Sequence, residues 1–197
     1  MKAEVPTLLP ILRSRAQGRL LALVLLHPGT EYTVTQVAAA VGTSVPTALR
    51  EVRRAEGAGL VTTRPVGRAR VVRAKSESPL YRPMSELLAR TFGPPVVLAG
   101  VLTAVQGLQE AYIYGSWAAR MSGLAGDPPN DVDLLLIGTP DRDRLDQAVD
   151  QAERLLGCPV HPTIRSSAQW DHAIEPFVVE MRRRPLVAIP VATERPS

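Results

Sequence analysis

A short segment in the second half of the chain holds residue types that suit phosphate and metal chemistry. It runs from Tyr112 to Gly138 and reads YIYGSWAARMSGLAGDPPNDVDLLLIG. Gly115 and Ser116 end an apolar stretch that predicts a strand, and the start of a helix follows them. A glycine lets the backbone approach a ligand closely, and free N–H groups at a helix start attract anions. The pattern therefore predicts a phosphate-binding turn.

Two aspartates open the next apolar stretch of this segment. Asp131 and Asp133 are two positions apart, so in a strand both carboxylates point to one face of the sheet. Neighbouring carboxylates repel each other unless a cation lies between them, and Mg²⁺ with nucleotide phosphates is the usual solution. The alternative is a pair of acids at the solvent-exposed entrance of a strand. We interpret the pair as a candidate Mg²⁺ site.

Further elements must position these residues. A Gly- and Pro-rich loop, residues 121–130, separates the two parts of the motif and is expected to cover the mouth of the site. A helix is predicted over residues 141–157, and a third strand over residues 158–166. Pro162 limits the pairing of that strand, which favours a short or edge strand. The last part predicts one helix, a basic turn and a final strand, residues 186–191.

Charge is unevenly distributed along the 197 residues. Residues 1–93 carry 14 Lys or Arg against 6 Asp or Glu, a net charge of +8, while residues 94–197 carry 9 against 13, a net charge of −4. A basic half joined to an acidic half indicates a module that binds a polyanion, attached to a second module. The alternative for the basic half is a solvated surface of arginines that binds no partner.

Composition favours a packed globular protein of the cytoplasm. Apolar residues make up 45% of the chain, and the single cysteine, Cys158, cannot form an internal disulfide. We interpret this cysteine as a small buried apolar side chain with no reactive role. The longest apolar run, Leu20 to Leu26, is far shorter than the roughly 20 residues that a membrane helix needs. We therefore expect no membrane association.

The basic half contains a helix-turn-helix pattern. After a buried helix that ends before Pro28, two short helical patterns are separated by Gly42, which permits a tight turn. Ser44 can cap the second helix, with Pro46 in its first turn. Apolar positions form a stripe: Ala38, Val41, Ala48, Leu49, Val52 and Ala55. The opposite face presents polar and basic side chains: Thr47, Arg50, Arg53 and Arg54.

A basic hairpin follows this pattern. Two β-branched runs flank residues 65–68, and arginines occur along both of them: Arg64, Arg68, Arg70 and Arg73. A helix in the major groove with a basic hairpin over the neighbouring backbone would neutralise phosphates and release counterions. Double-stranded DNA is therefore the expected partner.

The order of these elements, over residues 8–75, resembles the winged-helix transcriptional regulators of bacteria. The resemblance implies base contacts by Ser44, Thr47 and Arg50. It implies phosphate contacts by four arginines: Arg53, Arg54, Arg68 and Arg70. It also implies a homodimer on two half-sites, formed by the helices predicted in residues 79–108, although these helices are equally suited to an intramolecular core.

Residues 95–191 resemble the minimal nucleotidyltransferase domain of the DNA polymerase β superfamily, on the Gly-Ser turn and the acid pair described above. The resemblance implies that Gly115 and Ser116 contact the phosphates of a nucleoside triphosphate. It implies that Asp131 and Asp133 are catalytic ligands of Mg²⁺ for attack on the α-phosphorus. The whole chain resembles a group of prokaryotic regulators that join a winged helix to such a domain.

One departure from the superfamily concerns its third carboxylate. The strand that should supply this acid contains none, and His161 occupies the corresponding place. A neutral imidazole is a poor Mg²⁺ ligand, but it could serve as a catalytic base or favour a softer metal. Asp127, in the loop, is a weaker substitute for the missing acid.

Together these features predict an α+β protein with three parts. Residues 1–78 form a winged helix-turn-helix, residues 79–108 a helical connector, and residues 109–197 a small α/β nucleotidyltransferase-like domain with a mixed sheet. The favoured function is a DNA-binding transcriptional regulator whose second domain binds nucleotide and Mg²⁺ or acts as a scaffold. The alternatives are an active nucleotidyltransferase that modifies a protein or RNA, as in a toxin–antitoxin system, and a protein–protein adaptor, which the +8 charge disfavours.

Overall fold

A computed structural model describes residues 12–124, 129–172 and 175–191. The fold is mixed α+β, as expected, and the chain divides into two compact units, Met1–Gly93 and Pro94–Ser197. Each unit contains one β-sheet. The boundary falls within residues 79–108, so the two helices of that segment belong to different units.

The elements of the first unit follow in chain order. They are α1 (Arg15–Leu25), β1 (Tyr32–Thr33), α2 (Val34–Val41), α3 (Val45–Gly57), β2 (Val61–Val66), β3 (Ala69–Ala74) and α4 (Tyr81–Thr91). The three strands form an antiparallel sheet in the order β1-β3-β2. Helix α1 is apolar, is buried from Leu20 to Leu25 and packs against α2, α3 and α4. It is the centre of this unit's core.

Local sequence explains the turn between α2 and α3. Gly42 ends α2 in the left-handed region, with φ 68°, which a glycine adopts without steric cost. Ser44 then caps α3, and Pro46 lies in its first turn, where no backbone N–H is lost. The apolar stripe faces inward: Ala38, Val41, Ala48, Val52 and Ala55 are buried, and Leu49 is half-buried.

The second unit has nine elements within the described residues. They are α5 (Pro94–Leu102), β4 (Leu108–Tyr114), α6 (Gly115–Met121), β5 (Val132–Gly138), α7 (Arg142–Leu156), β6 (Val160–Arg165), α8 (Ser167–His172), α9 (Pro176–Arg183) and β7 (Val187–Ile189). The strand order is β6-β5-β4-β7. Strand β5 pairs in parallel with β6 and antiparallel with β4, and β4 pairs antiparallel with β7. The sheet is therefore mixed.

Strand β5 is the centre of the second unit's core. Its residues from Leu134 to Ile137 are almost fully buried. Leu135 and Ile137 pack with Trp170, Val178 and Met181 from α8 and α9, while Leu134 and Leu136 point to the opposite face. Asp133, at the start of β5, is therefore held in place because the rest of the strand is buried on both faces.

Two sequence expectations have clear outcomes here. Strand β6 lies at the edge of its sheet, as Pro162 predicts. The expectation of a single helix after residue 166 is wrong, because α8 and α9 are separate helices and Pro176 starts the second one. A proline restricts the residue before it to extended conformations, so a helix rarely runs through that position.

No helix in the described ranges is both long and apolar enough to span a membrane.

Candidate functional sites

The first turn of α3 carries a chain of side-chain hydrogen bonds. The Oγ of Ser44 accepts a hydrogen bond from the backbone N–H of Thr47 at 3.4 Å and donates one to the Oγ1 of Thr47 at 3.0 Å. Arg50 donates from Nη2 to the same Oγ1 at 3.1 Å. The three residues predicted to contact bases are therefore linked to one another, and Arg50 is exposed at the end of the chain.

The other two arginines of α3 are held differently. Arg53 and Arg54 are both exposed. Arg54 forms an ion pair with Glu51, whereas Arg53 forms no ion pair or side-chain hydrogen bond with any residue that the structure describes. The charge of Arg53 therefore remains available to an anion, and that of Arg54 is partly compensated.

The β2–β3 hairpin is tied to α3 by a hydrogen-bond network. Glu56, on α3, accepts hydrogen bonds from the backbone N–H and the hydroxyl of Thr63 at 3.1 and 2.7 Å. Arg70 donates to the same hydroxyl at 2.7 Å. Gly67 makes the turn with φ 57°, next to the exposed Arg68. The hairpin is thus fixed against α3, and both elements carry exposed arginines.

Arg64 of the hairpin forms an ion pair with Glu31, an acid that the sequence pattern did not indicate. It donates to Glu31 from Nε at 3.2 Å and from Nη2 at 2.5 Å, and this contact lowers the pKa of the Glu31 carboxyl. The partners are 33 residues apart, so no local pattern could predict their pairing. Glu56 was missed for the same reason, because its role depends on the hairpin folding back.

In the second unit, Gly115 and Asp133 are in direct contact. Gly115 starts α6 with φ 68°, and a Cβ placed there would lie 2.2 Å from Oδ2 of Asp133. Any other residue would collide with the carboxylate and would also be strained in this backbone conformation. The strand register explains the contact, since Tyr114 pairs with Asp133 across β4 and β5. Ser116 is exposed as the second residue of α6.

Asp131 and His161 complete this cluster. His161 pairs with Asp133 across β5 and β6, and its Nε2 lies 3.5 Å from Oδ2 of Asp131. The His161 side chain is 59% exposed and that of Asp131 is 44% exposed, so both are accessible to a ligand. The structure therefore brings together Gly115, Asp131, Asp133 and His161 at one end of the sheet.

The electrostatics of this cluster favour a cation. Partial burial raises the pKa of Asp133, the neighbouring charge of Asp131 raises it further, and His161 acts in the opposite direction. A carboxylate in this setting is less stable in its ionised form than it would be in water. A cation bound between Asp131 and Asp133 would reverse that effect.

The donor set is small for a metal site. Within residues 12–124, 129–172 and 175–191, no three His, Cys, Asp or Glu side chains are grouped so as to hold a metal ion. Asp127, the weaker substitute for a third acid, lies outside the described residues. Two carboxylates nevertheless fit Mg²⁺, which is commonly held by one or two of them with water and substrate phosphates.

Aromatic residues support the sheet behind the cluster. The hydroxyl of Tyr114 lies 3.2 Å from Oγ1 of Thr163, next to Asp133 and His161 in the strand register. Arg165 lies 4.8 Å from the ring centre of Phe177 and forms an ion pair with Glu175 at 3.0 Å. Sequence reasoning missed these residues, because each contact joins two different elements of the fold.

Cys158 belongs to the core and not to the site. Its side chain is buried, and burial raises the pKa of the thiol to about 11. A thiol with such a pKa is almost entirely protonated near neutral pH, and the thiolate is the reactive form.

No protein-family model matches this sequence, and a search of curated proteins found no match either.

Proposed function

We propose that the protein is a DNA-binding transcriptional regulator whose first unit is a winged helix-turn-helix. The observation that carries this proposal is the exposed arginine surface formed by α3 and the β2–β3 hairpin. The order of helices and strands in the first unit, with its sheet β1-β3-β2, is compatible with this class. Such a regulator would act in the cytoplasm, which agrees with the single unpaired cysteine.

The physical basis is a match of charge and shape to double-stranded DNA. The exposed face of α3 would enter the major groove, with Ser44, Thr47 and Arg50 nearest the bases. Arg53 and Arg68 would contact phosphates, and the hairpin would lie over the adjacent backbone. Arg54 and Arg70 already have protein partners, so we expect smaller contributions from them.

A DNA-binding assay tests this function. Fluorescence anisotropy would be measured with full-length protein and labelled duplexes from the region upstream of its own gene. The double variant Arg53→Ala/Arg68→Ala should weaken binding by roughly tenfold or more, because two phosphate contacts are lost. Arg142→Ala/Arg144→Ala removes the same charge from the exposed surface of α7 and is the matched control. Equal effects of the two double variants would mean that the arginine surface does not bind DNA.

We further propose that the protein binds DNA as a homodimer through α4. Leu80, at the N-cap of that helix, and Leu87, within it, are 52% and 43% exposed. Exposed aliphatic side chains one heptad apart suit a helix–helix contact. Light scattering should give twice the monomer mass for the wild type and the monomer mass for Leu87→Gln. A monomeric wild type at micromolar concentration would exclude this dimer.

The second unit supports a second candidate function, a nucleotidyltransferase-like site that binds a nucleoside triphosphate. The specific observation is the close contact between Gly115 and Asp133, beside Asp131. Here Asp131 and Asp133 would hold Mg²⁺, while Gly115 and Ser116 would contact phosphate. When bound, the metal would supply positive charge that stabilises the phosphates. His161, whose Nε2 lies 3.5 Å from Oδ2 of Asp131, would accept a proton from a hydroxyl or water.

We favour nucleotide binding or a scaffold role for this unit over active transfer. In the part of the chain that the structure describes, no third carboxylate joins Asp131 and Asp133. With fewer acids, both the compensation of metal charge and the activation of a nucleophile are weaker. An active nucleotidyltransferase that modifies a protein or RNA remains the alternative, with His161 as its base.

Calorimetry tests whether this site binds a nucleotide or has only a scaffold role. Titration of nucleoside triphosphates with Mg²⁺ should release or absorb heat with the wild type and not with Asp131→Asn. Asp150→Asn, on the exposed surface of α7, should behave as the wild type. No heat with the wild type would remove the nucleotide proposal. Labelled triphosphates incubated with cell extract would test transfer, and label transferred equally by Asp133→Asn would exclude catalysis at this site.

A further inference from the structure

We propose that Arg50 reads a guanine in the major groove and that Thr47 and Ser44 position it for that contact. This inference rests on the proposed DNA-binding function and adds the identity of a base. It also changes the expected roles of the residues, because Ser44 and Thr47 become positioning residues and not base readers.

The hydroxyls of Ser44 and Thr47 are already engaged within α3. Ser44 caps the helix by accepting from the Thr47 N–H, and its own hydroxyl proton is directed to Thr47 Oγ1 at 3.0 Å. That Oγ1 also accepts from Arg50 at 3.1 Å. A hydroxyl that turned to a base would break one of these bonds. The arrangement therefore favours support of the arginine over direct contact by either hydroxyl.

Arg50 retains the groups that a guanine requires. Guanine offers O6 and N7 as neighbouring acceptors in the major groove, and a guanidinium can donate to both at once. In the structure, the hydrogen bond that Arg50 makes uses Nη2, and the remaining N–H groups have no partner among the described residues. A guanidinium held at one nitrogen loses less side-chain entropy when it meets the base, so its bidentate contact gains in strength and in direction.

A comparison within α3 supports the assignment to Arg50. Arg53 has no partner among the described residues, and Arg54 is paired with Glu51. Contact with a phosphate requires charge and tolerates many geometries, whereas contact with a base edge requires a fixed direction. Of the three, Arg50 combines a tether near the start of the helix with free donors. Arg53 therefore provides the matched control for a phosphate contact.

The first experiment is a selection from a random duplex library with full-length wild-type protein. We expect enriched sequences with an invariant guanine in each half-site. Replacing that guanine with 7-deazaguanine, which lacks N7 but keeps O6, should weaken binding by about 5-fold or more, because one of the two hydrogen bonds is lost. Inosine keeps O6 and N7 and lacks only a minor-groove amino group, so its substitution should leave affinity unchanged.

Variants then connect the base to the residue. Arg50→Ala should lose the preference for guanine and its sensitivity to 7-deazaguanine. Arg53→Ala should weaken binding to all sequences alike and keep that sensitivity. Thr47→Val, which removes the acceptor, should lower the discrimination between guanine and other bases. Thr47→Ser, which keeps a hydroxyl, should retain it. Circular dichroism of each variant confirms that the helices remain folded.

The outcomes distinguish this inference from the function on which it rests. Salt-dependent binding with no enriched sequence, or enriched sequences indifferent to 7-deazaguanine, would overturn the reading of guanine and leave DNA binding intact. Retained guanine preference in Arg50→Ala would also overturn it. No binding to any duplex at low salt would overturn both. Equal discrimination by Thr47→Val and the wild type would refute the positioning role.

Discussion

The two units handle charge in opposite ways. In the first unit, arginines such as Arg53 and Arg68 lie exposed on α3 and the hairpin, where water solvates them and folding costs little. In the second, Asp133 is half-buried beside Asp131, and burial with like charge raises its pKa. The first arrangement would suit a large anion, and the second is a local electrostatic penalty that a cation would relieve. The first candidate site is therefore identified by several exposed charges of one sign. The second is identified by a carboxylate whose ionised form is destabilised.

Gly115 gives the largest expected effect, because a side chain there would meet the Asp133 carboxylate in addition to the strain of its positive φ. Gly115→Ala would place a Cβ 2.2 Å from the Asp133 carboxylate at φ 68°, and we expect a loss of about 2 kcal/mol or more in the free energy of unfolding. Both tryptophans, Trp117 and Trp170, lie in the second unit, so tryptophan fluorescence reports its unfolding selectively.

Gly123→Ala is the matched control for this change. Gly123 also has a positive φ, 86°, but a Cβ there would meet nothing within 4 Å. It should show only the backbone strain of roughly 1–2 kcal/mol. Equal losses for the two alanine variants would show that the contact with Asp133 is unimportant.

His27 provides an intermediate effect, confined to the first unit. Its Nδ1 lies 2.8 Å from the carbonyl oxygen of Leu23, its Nε2 has no partner among the described residues, and burial lowers its pKa below 6.5. As pH falls through 6.5, the unfolded chain binds a proton that the folded chain does not. Stability should therefore fall by at most about 1.4 kcal/mol per pH unit from this group.

Hydrogen exchange of the α1 amides measures this dependence without signal from the second unit. In His27→Asn, the protection of the α1 amides should fall less steeply as the pH is lowered from 7, because asparagine does not titrate. His172→Asn, at an exposed position on α8, should leave the dependence unchanged. An unchanged profile in His27→Asn would assign the acid sensitivity to other groups.

Asp133 gives the smallest effect on stability, and its sign is opposite to that of most substitutions. Because its pKa is raised in the folded protein, ionised Asp133 destabilises the second unit at neutral pH. Asp133→Asn should raise the free energy of unfolding by less than about 1 kcal/mol, and the Tm slightly with it, since the carboxyl is partly solvated. The gain should shrink as pH falls from the raised pKa toward 3.8, the ordinary value. A lower Tm for Asp133→Asn at pH 7 would contradict the penalty.

Local patterns predicted much of the fold, and long-range contacts account for what they missed. Gly42 and Ser44 specify their turn through backbone preferences, and Pro162 predicts an edge strand because it lacks an N–H. The pairing of Arg64 with Glu31 spans 33 residues and had no local signal. The separation of α8 from α9 at Pro176 was missed because the apolar spacing continues across it.

For the candidate site in the second unit, local patterns indicated the residues but not the distances between them. Strand alternation predicts Asp131 and Asp133 on one face, but Asp131 lies just before β5, which begins at Val132. The approach of Gly115 to Asp133 depends on the pairing of β4 with β5, and that of His161 to Asp131 on the pairing of β5 with β6. Strand pairing joins distant segments, so a single sequence does not specify these distances.

The most direct test of the DNA-binding proposal is the salt dependence of binding by the full-length protein. Anisotropy with a labelled duplex, from about 50 to about 200 mM salt, gives the slope of log K against log salt concentration. We predict a steep negative slope that becomes shallower by about one unit in Arg53→Ala. Absent binding, or affinity independent of salt, would contradict the proposal that the arginine surface of the first unit recognises DNA.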